Sequence, residues 1–105
     1  MWALHRRTLE RGGPPNVPAA ALVESWRGEV DMERALDGCV IEPLDEANAR
    51  AAGRLLARCA VAVEATDATV CEGALRRHDA VVTSNRSHFE ALAAGVVRRL
   101  DIIDV

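Results

Sequence analysis

Residues 64–90, EATDATVCEGALRRHDAVVTSNRSHFE, constrain the fold more than any other stretch of the chain. Glu64 and Asp67 stand three residues apart at the start of a small-residue helix. Ala68, Cys71, Ala74 and Leu75 recur at helical spacing behind them. Arg76-Arg77-His78-Asp79 breaks the pattern, and Ala80-Val81-Val82-Thr83 reads as a short buried strand. The strand empties into the polar turn Ser84-Asn85-Arg86. Ser87-His88-Phe89-Glu90 then has the capping-box form, with Ser87 expected at the N-cap and Glu90 three positions on. The unit is therefore helix, strand, helix, with acids at one helix start and polar side chains just past the strand. In open α/β sheets, sites gather outside the carboxyl ends of the strands.

The rest of the chain repeats this alternation. Met1 to Arg11 reads as a helix stopped by Gly12-Gly13. Asn16-Val17 leaves room only for a very short strand, and Pro18 suits the start of a helix whose Ala19, Leu22, Val23 and Trp26 share one face. Glu24 points away from that stripe and reads as a solvated carboxylate. Asp31 is placed to cap a short helix with Met32, Ala35 and Leu36, closed by Gly38. Cys39-Val40-Ile41 follows as a strand. Asp45 caps a strong helix with Asn48 at N3 and Ala51, Leu55, Leu56 and Cys59 on its buried side, and Gly53 inside it suggests close packing. The last helix ends near Gly95, and residues 100–104 close the chain as a strand. Alternating helices and strands imply one α/β domain over residues 1–105, three-layered αβα, with a short parallel sheet. Only three convincing strands appear, near 39–42, 80–83 and 100–104. An α/β sheet of this kind is expected to have an early central strand, and none is seen before Met1, so the chain reads as truncated at its N-terminus.

Composition removes several functions. All thirteen basic residues are Arg, and there is no Tyr. That excludes a P-loop lysine, a Schiff-base lysine and a tyrosine acid. Three scattered cysteines without C-x-x-C argue against a disulfide framework or zinc knuckle, and for a reducing cytoplasm. Cys71, His78 and His88 match no zinc spacing. No apolar run approaches the ~20 residues of a membrane span, and the start lacks a signal peptide's long apolar region. The expectation is a soluble, cytoplasmic protein. A net charge of −3 does not advertise a nucleic-acid binder, although individual arginines match phosphate geometry.

The remaining chemistry is that of hard metals. Mg²⁺ or Mn²⁺ is held by a few carboxylates and activates water against a phosphodiester. Glu24, Glu64, Asp67 and the amide of Asn85 supply such a site if the fold brings them together. The bland reading stands beside it: acids at a helix N-terminus are favoured by the macrodipole anyway, and Asn85 is an ordinary turn residue.

Three stretches, taken in order, resemble a PIN domain, the metal-dependent nuclease fold of VapC-type toxins. DATVCEGALRRHDAVVTSNRSHFEAL is similar to the family's Asp-Ala helix followed by a strand and a Thr-Ser-(Asp/Asn) turn. NVPAAALVESWRG resembles its second acidic element, and LDEANARAAGRLLARC its central helix. The resemblance implies a PIN-like fold and a Mg²⁺- or Mn²⁺-dependent endoribonuclease. Glu24 then stands at the second acidic ligand, Asp67 at the third, Glu64 at the accessory acid and Asn85 at the fourth position. Where an Asp follows three residues after such an Asn, this chain has His88. The family's first strand, ending in its first Asp, has no counterpart here, so the expectation is weak or absent cleavage. An RNA substrate, a cognate antitoxin and a homodimer are the partners implied, with Arg27, Arg76 and Arg86 as phosphate contacts. Two other readings stay open: a non-catalytic PIN-fold remnant that docks an antitoxin or a second copy, and an unrelated α/β domain whose acids are helix caps.

Overall fold

A computed structural model describes residues 14–94, 96 and 99–104. The helix expected over Met1–Arg11 and the helix end expected at Gly95 lie outside the described residues.

Strand β1 (Asn16–Pro18) leads directly into helix α1 (Ala19–Ser25), because Pro18 holds an extended backbone at φ −62° and then takes the N-cap position. Gly28, at φ +79°, supplies the left-handed turn into α2 (Val30–Asp37). Strand β2 (Val40–Glu42) follows, then α3 (Glu46–Arg58), α4 (Ala65–Arg77), β3 (Ala80–Thr83), α5 (Arg86–Ala93) and β4 (Asp101–Asp104). The three strands expected from sequence are present, and β1 is a fourth.

Their pairing differs from a single sheet. β1 pairs with β2 in parallel, Val17 opposite Ile41, and β3 pairs with β4 in parallel, Val81 opposite Ile102. The result is two separate two-stranded sheets rather than one. The chain is an α/β protein of short parallel pairs covered by helices, and no described strand joins the pairs.

Helix α4 lies at the centre. α1, α3, α5, β1 and β3 all pack on it, and Asp67, Ala68, Val70, Cys71, Glu72, Gly73, Ala74 and Leu75 are buried. Small side chains on α4 let so many neighbours approach. The hydrophobic cluster joins Ala68, Val70, Cys71, Ala74 and Leu75 to Ala52 and Leu55 of α3, Val81 of β3, and Phe89 and Leu92 of α5. His78 ends α4 in the left-handed region, φ 58°, its N–H turned back to the carbonyls of Ala74 and Leu75.

Several local expectations are met and several are not. Asp45 caps α3, Oδ1 accepting from the Asn48 N–H at 2.8 Å. Gly53 is exposed and a Cβ there would meet nothing within 4 Å, so close packing is not its reason. Glu29, not Asp31, is the N-cap of α2. The capping box at Ser87 does not form: α5 begins at Arg86 with Asn85 as N-cap, and Glu90 instead pairs with Arg86 at 3.3 Å. An i,i+4 ion pair on the same helix outcompetes the reach back to the cap. The apolar stripe of α1 is also only partly internal. Ala19 and Leu22 are half-buried and Val23 and Trp26 exposed, while the fully buried residue of α1 is Ala21, outside that stripe.

Candidate acidic site

The site sits where the N-terminus of α4 meets α1 and the start of α5. Glu64 is the N-cap of α4, with extended backbone and no side-chain cap bond, so its carboxylate is not used as a cap. Asp67 is in the first turn, only 3% exposed. Burial raises its pKa above the ordinary carboxylate value, the nearby charge of Glu24 adds to this, and hydrogen bonding to His88 opposes it. The macrodipole of α4 favours negative charge at this end, but desolvation is the stronger influence on Asp67.

Glu24 reaches the same place from α1. Its side chain meets that of Glu64, and this contact is the first cause of the raised Glu64 pKa, followed by the charges of Glu24 and Asp67. Like charges this close disfavour ionisation of Glu64, although Glu64 is exposed and water screens the repulsion. The Glu24 Oε1 atom is shielded from solvent and has no hydrogen-bond partner. The reading of Glu24 as a solvated helix carboxylate therefore does not hold. Forty residues of sequence separate Glu24 from Glu64, and packing of α1 on α4 closes that distance.

His88 completes the group. It lies one turn into α5, just past the carboxyl end of β3, and its Nδ1, in the tautomer carrying the proton there, donates to Asp67 Oδ2 at 3.3 Å. The ring is partly open to solvent, with the side chain 41% exposed. From sequence, His88 belonged to a trio without zinc spacing and stood where an Asp was expected. Its proximity to Asp67 was signalled by nothing more than its place after a strand end.

Asn85 is not drawn in. Its side chain makes no hydrogen bond to the three acids; its backbone N–H donates to the Thr83 hydroxyl at 2.9 Å. The fully buried Thr83 shapes the turn from β3 into α5 and so places His88. That role of Thr83 was missed from sequence, although a hydroxyl two residues before a turn amide is the signal for it.

The three arginines proposed as phosphate contacts are held by the chain itself. Arg76 is clamped by Glu42 and Glu72, at 2.8 and 2.9 Å. It also lies nine residues along α4 from Asp67, roughly 13 Å of helix rise. Arg86 pairs with Asp104 at 2.9 Å and donates to the Ile102 carbonyl. Arg27 donates to the carbonyls of Val23 and Trp26. Cys71, His78 and His88 are dispersed, His78 being at the far end of α4 from His88's partner Asp67. Burial pushes the Cys71 thiol up to about 12, which leaves it inert as a thiolate ligand.

Oxygen donors, a negative excess and an orphaned carboxylate oxygen suit a hard divalent cation. As they stand, the described residues contain no group of three or more His, Cys, Asp or Glu arranged around a common point. The donor chemistry fits; the shell is not closed. No described helix is long and apolar enough to cross a membrane. Comparison of the chain with family models, curated proteins and solved structures finds no match in any of the three.

Proposed function

We propose that the chain is a PIN-type, Mg²⁺- or Mn²⁺-dependent endoribonuclease of the kind found in toxin–antitoxin pairs. The observation that carries the reading is the meeting of Glu24 with Glu64 and Asp67, from two helices, with one Glu24 oxygen buried and unpartnered. Structural caps have no need of that arrangement. Asp67, Glu24 and Glu64 are the residues that would hold the cation. Such an ion, when bound, offsets the charge of a phosphodiester and makes water a better nucleophile. The chain's own residues do the rest. The small-residue packing of α4 keeps Asp67 dry, and the partly exposed His88 ring stands beside the acids with its Nδ1 orienting Asp67 Oδ2. An antitoxin or a second copy as partner belongs to the same proposal and rests on the resemblance alone.

One observation favours a second reading, a non-catalytic module: the acids do not surround a common point. The same experiment separates the two. Purified protein is incubated with end-labelled RNA in Mn²⁺, Mg²⁺ or EDTA, with Asp67→Asn in parallel, and its melting temperature is recorded in each buffer. Weak cleavage at most, lost in EDTA and in Asp67→Asn, with Mn²⁺ raising Tm only in the unmutated protein, is the expected result. Absence of both cleavage and a Mn²⁺-dependent Tm shift would leave the module reading. Cleavage indifferent to EDTA and to Asp67→Asn would exclude this site as its source.

A further inference from the structure

The segment from Leu22 to Glu46 has two properties that the acid cluster does not explain. Several of its apolar side chains are outside, although Met32 is buried: Val23 is 78% exposed, Val30 61% and Trp26 40%. Its charge is also one-sided. Eight acids face two arginines there, a net −6 in a chain whose total is −3. Of the two arginines, Arg27 is turned back on the carbonyls of Val23 and Trp26.

Both properties meet at one place. A groove of about 580 Å³ opens where α1, α2 and β2 come together, lined by Leu22, Val23 and Trp26 from α1 and its C-cap, Leu36 from α2 and Ile41 from β2. Glu33 and Asp37, one helical turn apart on α2, line the same groove. A contiguous apolar surface bordered by polar groups marks an interaction site on a soluble chain. The acidic border narrows the occupant. It repels phosphate, so nucleic acid does not belong here. A second copy meeting it face to face would set the same acids against each other. Opposite charge and apolar anchors are what the groove lacks.

We propose that this groove is a docking site for an amphipathic helical segment of another protein, with apolar side chains at i, i+3 or i+4 and i+7 and Lys or Arg on its flanks. Two helices and a strand form the walls, the usual shape of a helix-in-groove receptor, and the acids of α2 complement the flanking cations and accelerate encounter. The site is separate from the nuclease reading and stands if that reading fails.

The test is a displayed library of random helical peptides, selected on the full chain and counter-selected on Val23→Asp. Val23 is so exposed that this change leaves the fold intact, which circular dichroism checks. The expected outcome is an enriched pool with a net positive charge and apolar residues at helical spacing. A peptide synthesised from that pool should bind the unmutated protein with saturation and lose ~10-fold or more in affinity on Val23→Asp. It should lose a smaller factor on the double change Glu33→Gln, Asp37→Gln, and weaken as salt is raised. An enriched pool of neutral or acidic peptides would overturn the proposal, as would binding unaffected by Val23→Asp. So would sedimentation showing a dimer of the chain that Val23→Asp makes monomeric, since the occupant would then be a second copy.

Discussion

Helices α4 and α2 make opposite use of similar material. Eight of the thirteen residues of α4 are buried, two of them charged. Of the eight in α2 only Met32 is. α4 carries small residues around its circumference, so neighbours approach it from several sides and even Asp67 and Glu72 are enclosed. α2 carries acids at Asp31, Glu33 and Asp37, and encloses only Met32. Burial in this chain follows the number of sides from which a helix can be approached, not its count of apolar residues. The candidate acidic site lies at the enclosed end of α4, and the candidate docking groove lies against the open face of α2.

The sharpest way to break this contrast is to remove one aromatic from each region. Phe89 is fully buried against α4, and Phe89→Ala should cost about 3–5 kcal/mol in urea unfolding. Trp26→Ala, in the open region, should cost less than about 1 kcal/mol. Equal losses would mean that the groove is part of the core.

Metal is the next largest lever. Mn²⁺ at about a hundred times its Kd should stabilise the unmutated protein by ~2.7 kcal/mol, an effect reversed by EDTA and absent from Asp67→Asn. The pH dependence has a defined sign. Asp67's folded pKa lies above its ordinary 3.8, so its ionisation in the folded state is unfavourable. The cost of that charge is present at neutral pH and disappears as pH falls below the unfolded value. Without metal, Asp67→Asn should therefore melt higher than the unmutated protein at pH 7, and the gap should close on acidification. A lower melting temperature for Asp67→Asn at pH 7 would show that the carboxylate is a stabilising cap.

A smaller effect tests how the two regions are joined. Glu42 of β2 accepts from Arg76 and Arg77 of α4, each at 2.8 Å. These hydrogen bonds, Arg76 first, hold its pKa below the usual 4.5. The stabilisation is present above the unfolded value and is lost as pH falls through the lower, folded one. Glu42→Gln should cost about 1 kcal/mol at neutral pH, since the partners are partly solvated, with the difference shrinking in acid. The smallest prediction runs the other way. Gly53 is an exposed mid-helix glycine with open space at its Cβ, so Gly53→Ala should stabilise by about 0.8–1 kcal/mol in thermal melts. A loss would mean that a neighbour absent from the described residues packs there.

Much of the site was legible as parts. Glu64 and Asp67 are recognisable from their place at a helix start, and β3 with its polar exit from a run of small and β-branched residues. His88 was not legible as a partner of Asp67, because nothing in its own neighbours distinguishes it from a surface histidine. Arg76 and Arg86 each have an acid four residues away, Glu72 and Glu90, but their second partners, Glu42 and Asp104, are 34 and 18 residues away and were not legible.

Helical periodicity, strand runs and the Asp45 cap depend on neighbours within about four residues, and for these the amino-acid sequence alone was sufficient. It located β2, β3 and β4 to within a residue and, on α4, the buried Ala68, Cys71, Ala74 and Leu75, though not the equally buried Val70. Three matters were decided only in the tertiary structure: the separation of the strands into two pairs, the exposure of the α1 stripe, and the meeting of Glu24 with Glu64 that shields one Glu24 oxygen. Each depends on which surface covers which across tens of residues. A side chain's own pattern states that it is apolar or charged, but the desolvation that gives Asp67 its chemical character comes from the elements packed around it.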